Sequence, residues 1–257
     1  MITTSDGVRL HVSDTGGDGP PVVLVPGYGM PAAGWALQVA ALRDRHRVLS
    51  LDRRSHGRSD RPDHGQRMSR HGKDLAEVLD ALEVDDVLLV GSSMGSNVAL
   101  AYVDLFGTSR LRGLVLVDQT PKMVNEGDWD LGFHGLTRDT LDAWVAAFPD
   151  GLVPFHTMPP AEVLAVTVDG DPFSVDGTRA LLRDHAEADW RDVVARVDVP
   201  LVAVAGRHSP VWPWQSSAWM AEAAPQGELT VFEESGHVPF LEEVDAFNAL
   251  LVEVAGR

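Results

Sequence analysis

Three features of this sequence predict an α/β protein, with a mostly parallel sheet flanked by helices on both faces. Short apolar runs such as Val22–Val25, Val87–Val90 and Leu114–Val117 have the length and β-branched content of strands buried on both sides. Stretches of helical period separate them, as parallel crossovers require. The alternation holds to Asp118, breaks from about 119 to 190, and then resumes, so one sheet carries one inserted segment.

Each element follows from local pattern. Ile2–Thr4 and Val8–Val12 flank Ser5-Asp6-Gly7 and read as a hairpin. Pro20-Pro21 leads into strand Val22–Val25, then Pro26-Gly27-Tyr28-Gly29 and a helix around Trp35–Arg43. Strand Arg47–Leu51 passes through a charged loop, 52–65, into a helix whose Leu75, Val78, Leu79 and Leu82 form an apolar stripe. Strand Asp86–Val90, helix Asn97–Phe106 and strand Leu111–Val117 follow, with Gly107 as the helix stop. The inserted segment reads as helices Thr137–Phe148, Pro160–Thr167 and Asp176–Val197, punctuated at Pro149-Asp150-Gly151 and Asp169-Gly170-Asp171-Pro172. Strand Pro200–Ala205, helix Trp214–Ala223, strand Glu228–Phe232 and helix Glu242–Val254 complete the chain.

Composition narrows the function. The 257 residues include 21 Lys and Arg, 38 Asp and Glu and no Cys, for a formal charge of −17. Without cysteine there is no disulfide framework, thiolate metal site or cysteine nucleophile. Such a charge disfavours nucleic acid, whose phosphates need basic clusters, and anionic lipid. Met1–Leu10 contains Asp6 and Arg9 and no apolar core of a signal peptide, and no run approaches the roughly 20 apolar residues of a membrane span, so a cytoplasmic location is expected. No metal-ligand spacing and no G-x-G-x-x-G after a strand occurs, so neither a metal nor a dinucleotide cofactor is expected.

The chemical signal is Gly91-Ser92-Ser93-Met94-Gly95, between a predicted strand and a predicted helix. A sharp strand-to-helix turn strains the central residue, and small neighbours let the two backbones approach. Ser93 then projects from the sheet edge above a helix N-terminus that favours negative charge. The bland alternative is a glycine-rich turn without chemistry. A serine needs a base, and among ten histidines His237 has the fitting context, Ser235-Gly236-His237 in a loop after a strand. His11, His46, His64 and His71 read as solvated surface residues.

Together, Val25-Pro26-Gly27-Tyr28-Gly29, Asp52-Arg53-Arg54-Ser55-His56-Gly57-Arg58-Ser59, Gly91-Ser92-Ser93-Met94-Gly95 and Ser235-Gly236-His237 make the chain resemble α/β-hydrolase-fold proteins over essentially its full length. The resemblance implies an eight-stranded sheet, a core of 1–118 and 191–257, and a helical cap of 119–190 inserted after the family's sixth strand. It implies Ser93 as nucleophile, His237 as base, and the backbone N–H groups of Tyr28 and Met94 as oxyanion donors. Pro26 replaces the family's usual His before Gly27, and Ser55 replaces the first Gly of the D-x-R-G-x-G-x-S loop, which reads as packing beneath the site.

Most of the family carries its acid after the seventh strand, but here that position holds Ser209. A second family arrangement puts the acid directly after the sixth strand, where Asp118 stands; Glu126 is the next candidate. Trp129, Trp144, Trp212, Trp214 and His134 are candidate pocket residues. Phe133, Phe148, Phe155, Phe173, Trp190, His156 and His208 are further contributors, although many such aromatics would serve only to hold the cap together. The implied activity is hydrolysis of a medium-sized apolar ester or lactone through an acyl-enzyme. Two alternatives stay open: a cofactor-free dioxygenase using a His/Asp pair, and a non-catalytic ligand receptor. The sequence leaves the oligomeric state open.

Overall fold

The computed structural model describes residues 1–165 and 173–257. The end of the expected helix Pro160–Thr167 and the turn Asp169–Pro172 lie outside them. Among the described residues the strands are β1 (Ile2–Thr3), β2 (Arg9–Leu10), β3 (Val12–Asp14), β4 (Val22–Val25), β5 (Val48–Leu51), β6 (Val87–Ser92), β7 (Leu111–Val117), β8 (Leu201–Gly206) and β9 (Gly227–Phe232). The helices are α1 (Ala36–Leu42), α2 (Met68–Ala81), α3 (Met94–Phe106), α4 (Leu141–Ala147), α5 (Ala161–Ala165), α6 (Arg179–Glu187), α7 (Arg191–Val194), α8 (Gln215–Ala223), α9 (Pro239–Glu242) and α10 (Val244–Ala255). No helix among these residues is long and apolar enough to cross a membrane.

The main sheet has seven strands in the order β3-β5-β4-β6-β7-β8-β9, parallel throughout except for β3. The expected count of eight is therefore corrected: β1 pairs only with β2, in a separate two-stranded sheet. The expected strand Val8–Val12 bends at His11, whose N–H donates to Ser59 Oγ and whose ring bonds Asp52, so the ladder breaks there.

Side chains of the central strands alternate between two apolar layers, as a pleat of period two dictates. Val23, Val25, Leu89, Leu114, Leu116 and Ala203 join a core with residues of α2, α3, α6, α7 and α8. Val22, Leu24, Val90, Val115, Val117 and Val204 join the opposite core with Trp35, Leu42, Phe240, Phe247 and Leu251. Helices thus cover both faces.

The described residues of 119–190 pass from β7 towards β8 as short helices and irregular chain. The expected helix Asp176–Val197 divides at Ala188, whose extended backbone ends α6, and Asp189 there forms a bridge to Lys122. The expected helix Glu242–Val254 likewise divides, at Glu243. In the insertion, Leu141 and Val145 pack with Met123, Leu136, Val211 and Trp212, whereas Leu181 and Leu182 reach the main core.

Candidate active site

Strand β6 ends at Ser92 and helix α3 begins at Met94, so Ser93 makes the whole turn, at φ 51° and ψ −127°. A residue with a side chain adopts that conformation only when its surroundings enforce it. The Ser93 N–H is held by Val117 O at 2.8 Å. A Cβ on Gly95 would lie 2.2 Å from Val25 O, so only glycine lets α3 start this close to the end of β4. The loop after β4 presses on Ser93 as well: a Cβ on Gly27 would sit 3.1 Å from Ser93 Cβ. The backbone N–H groups of Tyr28 and Met94, which follow Gly27 and Ser93, have no hydrogen-bond acceptor among the described residues.

Asp118 terminates β7 with φ 43°, a second strained non-glycine residue at this sheet edge. Its N–H donates to Val204 O at 2.7 Å, and the side chain is 1% exposed. Three donors converge on the carboxylate. His237 Nδ1 and Ser209 Oγ each reach Oδ1 at 2.7 Å, and the Gly206 N–H reaches Oδ2 at 2.8 Å. An ionised acceptor makes such bonds strong. It also fixes the neutral His237 tautomer with its proton on Nδ1, which leaves Nε2 as a base. His237 and Ser93 open on the same cavity. Glu126 lies elsewhere, paired with Lys122 at 3.5 Å and Arg138 at 3.6 Å.

The His237 loop is tied to the insertion. Its N–H donates to Pro154 O at 2.8 Å. Glu242 accepts the Gly236 and Val238 N–H groups on Oε1, at 2.9 and 3.4 Å, and the His156 and Thr157 N–H groups on Oε2, at 2.7 and 2.8 Å. One carboxylate thus clamps four amides from two distant segments. Neither Glu242 nor the donor role of Ser209 is foreseen by the sequence analysis. The spacing of Glu242 five residues beyond His237, in the first turn of a helix, is the only local signal for the former.

The cavity has a volume of about 600 Å³. Trp144 and Trp212 line it, with Phe133, Phe148, Phe155 and Phe173; Trp212 also stands edge-on to the His237 ring, 5.2 Å between centroids. Trp129, Trp214, His134 and Trp190 do not line it. Trp129 packs against Trp219 under the Arg191 guanidinium, and Trp214 lies under Arg207. His134 is exposed, and His156 and His208 stack on each other at 3.9 Å on the exposed surface. Tyr28 joins the site to the insertion through its hydroxyl, 2.8 Å from Thr178 Oγ1, and through ring contacts with Phe148 and Phe173.

The 52–59 loop adjoins the cavity, which its Gly57 helps to line. Ser55 adopts φ 66°, the left-handed conformation that the family's glycine would take, and its Oγ accepts a bond from Gln66 Nε2 at 2.9 Å. Arg54 pairs with Asp74 and Asp6. Two histidines expected at the surface are buried: His46, and His71, which is 1% exposed. His71 shares its helix face with Leu75 and Val78, so it enters the core with them. Burial first, and the neighbouring Arg53 charge second, push His56 and His71 well below the ordinary histidine range and His185 down to about 3. These imidazoles are neutral. Among the described residues, no group of three His, Asp or Glu side chains is placed to hold a metal ion.

A polarised His–Asp pair and an elbow serine at the carboxyl edge of a parallel sheet are the arrangement of an α/β hydrolase. Residues 22–250 match the alpha/beta hydrolase family, and the chain belongs to it. It is similar to the pimeloyl-[acyl-carrier protein] methyl ester esterase of Vibrio cholerae, at 29% identity over 94% of this chain and 96% of that protein. It is also similar to a non-heme chloroperoxidase of Streptomyces lividans, at 29% identity over 88% of this chain and 85% of the relative. Among solved structures, an esterase from Exiguobacterium antarcticum superposes with a TM-score of 0.89 at 28% identity, covering 100% of this chain and 98% of that one.

Proposed function

We propose that this protein is a serine hydrolase that cleaves a carboxylic ester or lactone with a medium-sized apolar acyl part. The observation that carries the reading is the 2.7 Å bond from His237 Nδ1 to the buried Asp118 carboxylate, beside the cavity onto which the strained Ser93 opens. In this reading His237 Nε2 takes the Ser93 proton as Oγ attacks the acyl carbon. The carbonyl oxygen becomes an oxyanion held by the Tyr28 and Met94 N–H groups, which stabilise it more than the ground-state carbonyl. The imidazolium, stabilised by Asp118, returns its proton to the leaving alkoxide. Water, activated by the same imidazole, then releases the acid and restores Ser93.

The ester and esterase names of the relatives support this class of reaction. Substrate size follows from a cavity of about 600 Å³. Its walls are mostly aromatic and aliphatic, and among the described residues no Lys, Arg, Asp or Glu lines it, which suits an uncharged substrate. Residues 119–190 act as the cap that supplies much of that wall. The test is labelling by a fluorophosphonate probe together with anaerobic hydrolysis of p-nitrophenyl esters. The reading expects labelling at Ser93, lost in Ser93→Ala and His237→Ala, and turnover that needs no oxygen. A folded protein that neither labels nor hydrolyses any ester, or that consumes oxygen in place of hydrolysis, would overturn it.

A further inference from the structure

Arg53 is almost completely buried, at 2% exposure, yet forms no ion pair with a carboxylate among the described residues. Its neighbour Arg54, equally buried, has Asp74 and Asp6. An isolated buried cation is costly, so its surroundings bear on why it is there. All five guanidinium N–H groups are engaged. Nε donates to Pro26 O at 3.0 Å, and Nη2 to Gly27 O at 2.7 Å and to His56 Nε2 at 2.9 Å. Nη1 donates to His71 Nδ1 and to Met94 Sδ, each at 3.3 Å. His56 donates its own Nδ1 proton to Arg54 O at 2.9 Å, so its Nε2 is an acceptor and the ring is neutral. Burial draws Arg53 down to about 9, which leaves it charged at neutral pH.

The peptide that Arg53 grips at Gly27 O carries, at its other end, the Tyr28 N–H assigned above to the oxyanion. The residue whose sulfur it touches, Met94, supplies the other donor. A cation on the carbonyl side of a peptide draws electron density towards that oxygen and makes the N–H a stronger donor, as hydrogen-bond chains do in low dielectric. We propose that Arg53 is a positioning residue of the oxyanion hole. It orients and polarises the Gly27–Tyr28 peptide and sets an uncompensated positive charge behind the place where the negative charge of the transition state develops. The three neighbouring imidazoles, His56, His71 and His185, are neutral, so they neither dilute nor duplicate that charge. This inference rests on the hydrolase reading and revises the expectation that the 52–59 loop serves packing alone.

The test compares Arg53→Lys, which keeps the charge and loses most of the donors, with Arg53→Gln, which keeps an amide donor and loses the charge. Wild-type-like circular dichroism and a cooperative thermal melt establish that each is folded. With p-nitrophenyl butyrate, Arg53→Gln is expected to lose roughly 10- to 100-fold in kcat with little change in KM, less than the ~10²–10³-fold that removal of a whole donor costs. Its affinity for an alkyl trifluoromethyl ketone, which forms a hemiketal oxyanion on serine, should weaken by the same factor. Arg53→Lys should retain most of both. A folded Arg53→Gln with wild-type kcat and ketone affinity, or Lys and Gln variants equally impaired, would overturn the role of the charge while leaving the hydrolase intact. A wild-type protein that hydrolyses no ester would instead overturn the hydrolase reading, and this inference with it.

Discussion

The proposed role of Asp118 as the triad acid can be tested by moving its carboxylate. Ser209 Oγ lies 2.7 Å from the same Asp118 oxygen that His237 contacts, so both positions reach one point beside the imidazole. In Asp118→Asn the amide cannot satisfy its neighbours in either orientation. With its oxygen towards His237, its NH2 faces the Gly206 N–H, a donor now held at 2.8 Å by the carboxylate. Turned over, its NH2 faces Nδ1 and imposes the tautomer with the proton on Nε2, which cannot accept one from Ser93. Loss of activity of about 10⁴-fold is expected, equivalent to about 5 kcal/mol of transition-state stabilisation.

Ser209→Asp alone sets two carboxylates in contact. At the present 2.7 Å separation their repulsion is roughly 6 kcal/mol at an effective dielectric of about 20. The pair relieves this by sharing a proton, so the variant should be destabilised at neutral pH and regain stability under mild acid. Combining the two changes removes the repulsion and supplies a carboxylate from position 209. The double variant should therefore exceed Asp118→Asn in kcat/KM by roughly tenfold or more, a strong coupling in a double-mutant cycle. The assay is steady-state hydrolysis of p-nitrophenyl butyrate, with urea denaturation of each variant as the companion measurement. A double variant no more active than Asp118→Asn, beside a Ser209→Asp variant of wild-type stability, would refute the reasoning.

Two further outcomes follow from the surrounding contacts. Glu242→Gln replaces one of two acceptor oxygens by a donor group, so two of the four clamped amides lose their partner. Stability should fall by about 1–3 kcal/mol, read by urea denaturation, and kcat should fall more than KM rises because the His237 loop shifts; an unchanged kcat would show that the clamp does not hold the base. His185 supplies a pH test. Its folded value of about 3 lies below its ordinary 6.5, so the unfolded chain takes up a proton first as pH falls. Its stabilising contribution is complete above pH 6.5 and is lost progressively as pH falls towards 3, by at most about 1.4 kcal/mol per pH unit. His56 and His71 shift in the same direction. Urea denaturation at pH 6 and pH 4.5 should show a smaller loss for His185→Gln than for wild type, and equal slopes would contradict the burial of a neutral imidazole there.

The parts legible in the sequence are those whose cause is local. The elbow at Ser93 is readable because the strand, the strained residue and the helix are consecutive, and its glycines are needed within a few residues. The place of Asp118, directly after a buried strand, is legible from the apolar run that precedes it. The burial of His71 is written in the same stripe that marks Leu75 and Val78, although a histidine is by type more often solvated. Other features depend on contacts across the fold. Trp129 and Trp214 meet Arg191 and Arg207 in place of the cavity, and composition cannot tell which side of a loop an indole takes. The clamp at Glu242 involves amides some 85 residues away, with no pattern of its own. The strand count failed because His11 exchanges ladder bonds for bonds to Ser59 and Asp52.

The pairing of β7 with β8 has a consequence for how the chain comes off the ribosome. Leu114 through Val117 pair on one side with Leu89 through Ser92, but meet their neighbours on the other side, Leu201 through Val204, only after the whole insertion has been made. Until then the outer side of β7 is an open apolar edge, the kind of surface on which nascent chains associate. His237 is made later still, well after Ser93 and Asp118, the residues it is proposed to act with. Completion of the sheet is thus deferred to the final stretch of synthesis, and a chain stopped short of β8 leaves an aggregation-prone edge exposed.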